Sequence, residues 1–254
     1  MYQILAMLIV IAYLYQEYQG SLDQRDNEQH SVAKLSEIKQ SNTNSGIKNS
    51  SIKNYRSARK VFWSKLYPQG GKTLYCREDF SNNHGQGINV EHVFPMSWVT
   101  KALSCGTRNQ CRKNSNVFNS IEADLHNLYP SRTEVNEDRS SFRFGEVNGE
   151  NRNYGKSCDF EINSRSRVAE PTNEVRGDIA RAMFYMAYQY KQHGLVIFSS
   201  QGKILYQWHI ADLPNKDERY RNNKIEGLQG NKNIFIDKPK KLTDLVQSGY
   251  FYKR

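Results

Sequence analysis

The apolar positions fall into a polar N-terminal stretch and a patterned remainder. Ile4 to Tyr15 is an uncharged, mostly apolar run. It is shorter than the ~20 residues of a spanning helix and has the length of the apolar segment of a secretory signal. Gln19 to Ser51 is rich in Ser, Asn, Gln and Lys. "KQSNTNSGIKNSS" has no usable period and reads as a flexible linker. Helical spacing first appears in "SARKVFWSKLYP", at Val61, Phe62, Lys65 and Leu66, and stops at Pro68. "KTLYC" reads as a strand. "INVEHVF" reads as a second, with Gly85 and Gly87 before it and Pro95 after it. Cys105 to Asn119 is polar and reads as loop, whereas "SIEADLHNLYP" is apolar enough for partial burial. Ser131 stands three residues before Glu134, a capping-box spacing, so a short helix carrying Asn136 in its first turns is expected. The clearest helix is "TNEVRGDIARAMFYMAYQYKQHG". Ile179, Met183, Met186 and Tyr190 mark one face, which reads as core, and Gly194 is a C-cap candidate. A strongly charged helix is expected in "IADLPNKDERYRNNKIEGLQG". No internal repeat is evident. The pattern predicts an α+β protein: 1–20 a signal peptide or N-terminal anchor, 21–54 a polar linker, and 55–254 one mixed domain.

Composition adds three constraints. An apolar fraction of 37%, with 16 Tyr and 11 Phe, is enough for a core in one large domain. Thirty-six Lys and Arg against 26 Asp and Glu give a formal charge of +10, which favours polyanionic partners: nucleic acid or an acidic membrane surface. Four cysteines lack the paired Cys-x-x-Cys knuckles of a zinc ribbon and, in an exported chain, favour two disulfides. Of three pairings, Cys105–Cys111 with Cys76–Cys158 is preferred. Export implies a secreted or periplasmic protein. No Lys or Arg precedes the apolar run and no clear small-x-small site follows it, so an uncleaved anchor stays open beside cleavage.

Candidate chemistry begins with "NVEHVFPMSW". Glu91 can hold a hard cation, and neutral His92 can take a proton near neutral pH. An ordinary strand end with two polar residues would look the same, so the reading depends on distant segments. The cysteine-bounded loop offers Arg108, whose planar fork suits a phosphate. The short capped helix offers Asn136, an oxygen ligand for a Mg²⁺ that keeps several waters. His126 reads as a structural hydrogen-bonding residue, His209 as a packed one, and His84 and His193 as non-catalytic. Arg139 and Arg143 are expected either to pair locally with Glu134 or Glu146 or to approach phosphate.

"NVEHVFP", "DLHNLYP", "EVNEDRSSFRF", "RGDIARAMFYM" and "QGNKNIFID" occur in this order between Tyr55 and Asp237. In this the chain resembles the bacterial endonuclease I family of periplasmic or secreted non-specific nucleases. The resemblance implies a ββα-metal (His-Me finger) core, with His92 as general base, Glu91 and Asn136 as metal ligands, Arg108 as a phosphate-stabilising residue and Glu122 as a further acidic residue of the catalytic set. It implies Mg²⁺, with Mn²⁺ as the alternative, and hydrolysis of DNA, and also RNA, to 5′-phosphate products by a monomer. Adjacent strand residues alternate sides, so Glu91 and His92 are expected to share a site only where the strand distorts. The chain departs from the family in its Ser/Asn-rich segment before Tyr55, in having fewer cysteines than some members, and in carrying Ile234 where proline is expected. Two other readings compete: a catalytically inactive secreted nucleic-acid-binding protein, and a surface-anchored adhesin-like protein. Both leave Glu91, His92, Arg108 and Asn136 without a joint role.

Overall fold

The computed structural model describes residues 52–81, 87–149 and 151–251. The expected signal or anchor, nearly all of the linker, and His84 lie outside the described residues.

Helix α1 (Tyr55–Val61) starts at a reciprocal cap: Asn54 Oδ1 accepts the Ser57 N–H at 3.0 Å, and Ser57 Oγ accepts the Asn54 N–H at 3.1 Å. It continues as a π-helical segment, Phe62–Leu66. Ala58, Phe62, Trp63 and Leu66 pack with Val90, Leu125, Leu128 and Ile225, which attaches α1 to the site-bearing part of the fold. Strands β1 (Gly71–Lys72) and β2 (Asp79–Phe80) form a small antiparallel pair. "KTLYC" is therefore not a strand beyond Lys72. Thr73 accepts the Arg77 N–H, and Leu74 donates to Pro130, so the segment turns and buries Leu74, Tyr75 and Cys76.

Strand β3 (Ile88–His92) is followed by α2 (Met96–Leu103), α3 (Arg108–Asn114) and α4 (Asn116–Glu122). The expected loop from Cys105 to Asn119 is thus two short helices. Thr107 and Gln110 cap α3 reciprocally, and Ser115 caps α4. The buried face needs only Cys111, Phe118 and Ile121, too few to give a visible period. Strand β4 (Leu128–Arg132) pairs antiparallel with β3 from Ile88↔Arg132 to His92↔Leu128. Helix α5 (Thr133–Arg139) packs on both strands. It carries Asn136 as expected, but Ser131 does not cap it; Ser131 lies in β4 and its hydroxyl donates to the Arg132 carbonyl.

A three-stranded sheet follows, with β7 (Val168–Pro171) at its centre, parallel to β5 (Arg143–Phe144) and antiparallel to β6 (Phe160–Asn163). The expected long helix is α6 (Arg176–Gln189). It is buried nearly all round, so its Met/aromatic stripe is core. Helices α7 (Ser199–Ala211), α8 (Lys216–Gln229), α9 (Ile234–Asp237) and α10 (Pro239–Gln247) complete the α+β domain. Among the described residues no helix is long and apolar enough to cross a membrane.

Both preferred disulfides are present, Cys76–Cys158 and Cys105–Cys111. They span 82 and 6 residues, which the loop-entropy model converts to roughly 4–5 and 2 kcal/mol. Each adjoins a site residue: Tyr75 precedes Cys76, and Arg108 lies inside the short loop. Reduction is expected to lower the denaturant midpoint by an amount dominated by the long bridge. Guanidinium unfolding with and without reductant, alongside non-reducing peptide mapping, checks this; an unchanged midpoint after complete reduction would contradict it.

Candidate active site

The site is built at the end of β3. The Asn127 side chain clamps the chain leaving that strand: its Oδ1 accepts the Phe94 N–H at 2.6 Å and its Nδ2 donates to the Phe94 carbonyl at 3.1 Å. The rest of "DLHN" is structural as well. Asp124 accepts Tyr185 and Tyr190 hydroxyls at 2.8 and 2.7 Å and the Gln229 amide at 2.8 Å. His126 Nε2 bonds the Asn231 carbonyl at 3.1 Å. His209 is likewise packed, with Nε2 on the Pro239 carbonyl. These bonds tie α6, α8 and the segment after α8 to the β3–β4 pair, so side chains distant in sequence fix the floor of the site.

No distortion occurs at Glu91 and His92. The register stays regular to the last pair, and neither residue has a positive φ. The expectation of irregular geometry is therefore corrected. Both residues line one cleft because His92 ends the strand, and the cleft wraps around that end.

Glu91 is buried against two donors. The Tyr75 hydroxyl donates to Oε1 at 2.6 Å, and Arg139 Nη1 donates to the same oxygen at 2.8 Å. Neither reaches Oε2. Burial raises the Glu91 pKa more than Arg139, Tyr75 and the His92 backbone N–H lower it. Burial also pushes the Tyr75 pKa well up, which keeps its phenol a donor. Arg139 is fully buried; it also donates to the His92 and Val93 carbonyls at 3.1 and 2.7 Å and lies over Phe144. It pairs with neither Glu134 nor Glu146 and has no exposure to phosphate, which corrects both expectations for it. Asn136 donates through Nδ2 to Asn89 Oδ1 at 2.7 Å and, more loosely, to the Val90 carbonyl at 3.4 Å. With the amide nitrogen engaged, its Oδ1 is the atom left for a ligand. Glu91 Oε2 and Asn136 Oδ1 are two hard oxygens on one cleft, a set that fits a Mg²⁺-like ion retaining much of its water.

His92 occupies the other side of the strand end. Its Nε2 lies 3.0 Å from the Glu122 carbonyl oxygen. A carbonyl only accepts, so Nε2 carries the proton and Nδ1 keeps the lone pair. Burial, reinforced by the positive charge of Arg108, lowers the His92 pKa to about 4, so the ring is neutral at pH 7. Its ring packs against Tyr55 at 4.9 Å.

Glu122, 1% exposed at its side chain, holds two arginines. Arg108 Nε donates to it at 2.5 Å, and Arg112 donates through Nε at 2.8 Å and Nη2 at 2.8 Å. Burial pushes its pKa up, but the Arg112 and Arg108 hydrogen bonds outweigh this and hold the carboxyl below the usual range. Both guanidiniums stay partly exposed and sit 5.6 Å from the Tyr55 ring centroid.

Glu91, His92, Arg108 and Asn136, all singled out from sequence, thus line one cleft of about 430 Å³ with Tyr55, Arg112 and Ser140 among its other walls. Glu122 lies behind the arginines, where it orients them and, through its backbone, His92. Sequence reasoning missed Tyr55, Tyr75 and Arg112 and misplaced Arg139. Helical spacing held a signal for one of them: Arg112 lies one turn beyond Arg108.

The family model described as Endonuclease I matches residues 14–240. An extracellular deoxyribonuclease of Aeromonas hydrophila is 42% identical over 211 residues, 74% of this chain and 89% of that protein. A periplasmic deoxyribonuclease of the same organism is 35% identical over 205 residues, 76% of this chain and 84% of that protein. An extracellular ribonuclease of Bacillus subtilis (strain 168) is 31% identical over 185 residues, 65% of this chain and 58% of that protein. With the family model covering most of its length, the chain belongs to the endonuclease I family.

Proposed function

We propose that the protein is an exported endonuclease that hydrolyses phosphodiester bonds of DNA and RNA, without strong sequence preference, using a divalent cation held by Glu91 and Asn136. The observation that carries this is a neutral, oriented imidazole, two hard-oxygen side chains and two partly exposed guanidiniums lining one cleft. A protein that only binds nucleic acid has no use for such a base. Relatives named for both DNA and RNA hydrolysis support the substrate class, and their extracellular or periplasmic names agree with two disulfides here. The β3–β4 pair followed by α5 is read as the ββα-metal core.

Each residue then has a task. His92 Nδ1 takes a proton from the water that attacks phosphorus, while the Glu122 carbonyl holds the ring in that tautomer. Arg108 and Arg112 pair with nonbridging phosphate oxygens as negative charge builds there. Glu122 keeps both forks turned to the cleft. Tyr75 and Arg139 fix Glu91 through Oε1 and so hold its carboxylate in place at the cleft. When bound, the cation supplies charge for the phosphate and for the departing 3′ oxygen. Products carry 5′-phosphate and 3′-hydroxyl groups.

Plasmid nicking with and without EDTA tests the reading. Activity should vanish in EDTA and return with Mg²⁺ or Mn²⁺. Glu91→Ala and Asn136→Ala should each lower it, and the double variant should lose little more than the worse single one, because both act through one ion. Undiminished nicking in EDTA, or fully additive losses, would remove the shared-cation assignment.

A further inference from the structure

A second, larger hollow of about 930 Å³ opens beside the catalytic cleft. Tyr55 and Arg112 line both, so the two form one continuous surface. One wall of the hollow is α1, which presents Arg56, Arg59 and Lys60; the other includes Arg112 and Asn119. These three α1 cations are exposed, and none forms an ion pair among the described residues. The helix "YRSARKV" contains no acidic residue. Arg56 stands at i,i+3 and i,i+4 to Arg59 and Lys60, where like charges repel and weaken a helix. The one carboxylate in the hollow, Glu122, is already held by Arg108 and Arg112. The wall is therefore a cluster of positive charge with no internal counter-charge, opening directly from the place where the phosphate is attacked.

We infer that this hollow is a strand-binding groove: it takes the phosphates of the nucleic acid that flank the scissile bond and leads one strand away along α1. The inference rests on the nuclease reading above and adds a subsite to it. Arg56 and Lys60 are one helical turn apart, about 6 Å along the axis, which lets them meet successive phosphates of one strand. Tyr55 joins the two compartments. Its ring lies 4.9 Å from His92 and within 5.9 Å of Arg59, Arg108 and Arg112, so it spaces the guanidiniums of both compartments about the base. Contacts of this kind read no bases, which agrees with cleavage lacking sequence preference.

The test is a binding measurement with the full chain carrying His92→Ala, so that substrate survives. Single-stranded oligonucleotides of about 4 and about 16 nucleotides bracket a cleft-only and a groove-filling ligand. Arg56→Gln with Lys60→Gln should lower the salt slope for the long oligonucleotide by about 1.4, or about 0.7 per lost phosphate contact. Its affinity should drop at least about tenfold at 0.1 M salt. The short oligonucleotide should bind within about twofold of the parent, because its few phosphates fill the cleft. The exchange Arg56→Lys with Lys60→Arg keeps the charges and should keep the slope; far-UV circular dichroism confirms the fold of each variant. An unchanged slope and affinity for the long oligonucleotide would overturn the groove. An equal loss for both lengths would also overturn it, since the residues would then act on the cleft or the fold. Nicking by the protein without substitutions is measured alongside; its absence would sink the nuclease reading itself, whereas its presence with an indifferent double variant would sink only the groove.

Discussion

His92→Ala is expected to slow the chemical step at least ~10²-fold, the scale of losing a general base. The prediction follows from how fully the imidazole is committed. One nitrogen is fixed on the Glu122 carbonyl at 3.0 Å, and the ring is kept neutral by burial, so its remaining lone pair has no competing proton at pH 7. Neither of the other two buried histidines can replace it. His126 and His209 are bound elsewhere through Nε2, and both are buried in scaffold. The variant also loses a ring that packs on Tyr55, and the arginines around that tyrosine could relax. Single-turnover cleavage together with oligonucleotide affinity separates the effects. Loss of the base lowers the rate at saturating enzyme and leaves affinity nearly unchanged, since a neutral imidazole adds little to phosphate binding. A variant that cleaves at near-parent rate would remove the central residue of the mechanism.

The proposed catalytic set could be named from sequence because its members are polar residues in short, recognisable contexts. Glu91 and His92 end a strand expected between Gly87 and Pro95, and Asn136 sits in a helix expected from the sequence, although Ser131 does not cap it. What sequence could not show is which polar residues point inward. Arg139 lies three positions beyond Asn136 and is expected from sequence to pair locally or approach phosphate, yet it is fully buried on a carboxylate 48 residues away. Tyr75 sits in a segment that looks like a strand but turns, because its neighbour Cys76 is tied to Cys158 and Leu74 bonds Pro130. Helices α3 and α4 were invisible for a related reason. Their stability comes from caps at Thr107 and Ser115 and from three buried side chains, not from an amphipathic repeat. The long α6 was legible as a helix. That it is buried almost all round became visible only once Asp124, Tyr185 and Tyr190 were seen to join it to the site's floor. The motif "DLHN", whose His126 reads as a structural hydrogen-bonding residue, is the clamp that positions its neighbours.

Arg139→Ala should be the most damaging change to the fold. It removes the only cation paired with buried Glu91 among the described residues and leaves the His92 and Val93 carbonyls without their guanidinium donor. Breaking a buried pair from one side destabilises by about 3–5 kcal/mol, against a total of about 5–15 kcal/mol for a domain. The variant should therefore unfold at a much lower urea concentration and cleave poorly even where folded, because Glu91 loses a contact that holds its carboxylate in place. Arg139→Lys keeps a charge but not the fork and should fall between. A second substitution separates stability from catalysis. Adding Glu91→Gln to Arg139→Ala leaves no unpaired buried charge, while the new amide oxygen can still accept from Tyr75. Urea midpoints should recover in part, a coupling that independent sites would not show. Cleavage should not recover, since the proposed anionic ligand is gone. If the double variant is no more stable than Arg139→Ala alone, the charge pair does not account for the loss, and the backbone carbonyl contacts of Arg139 must.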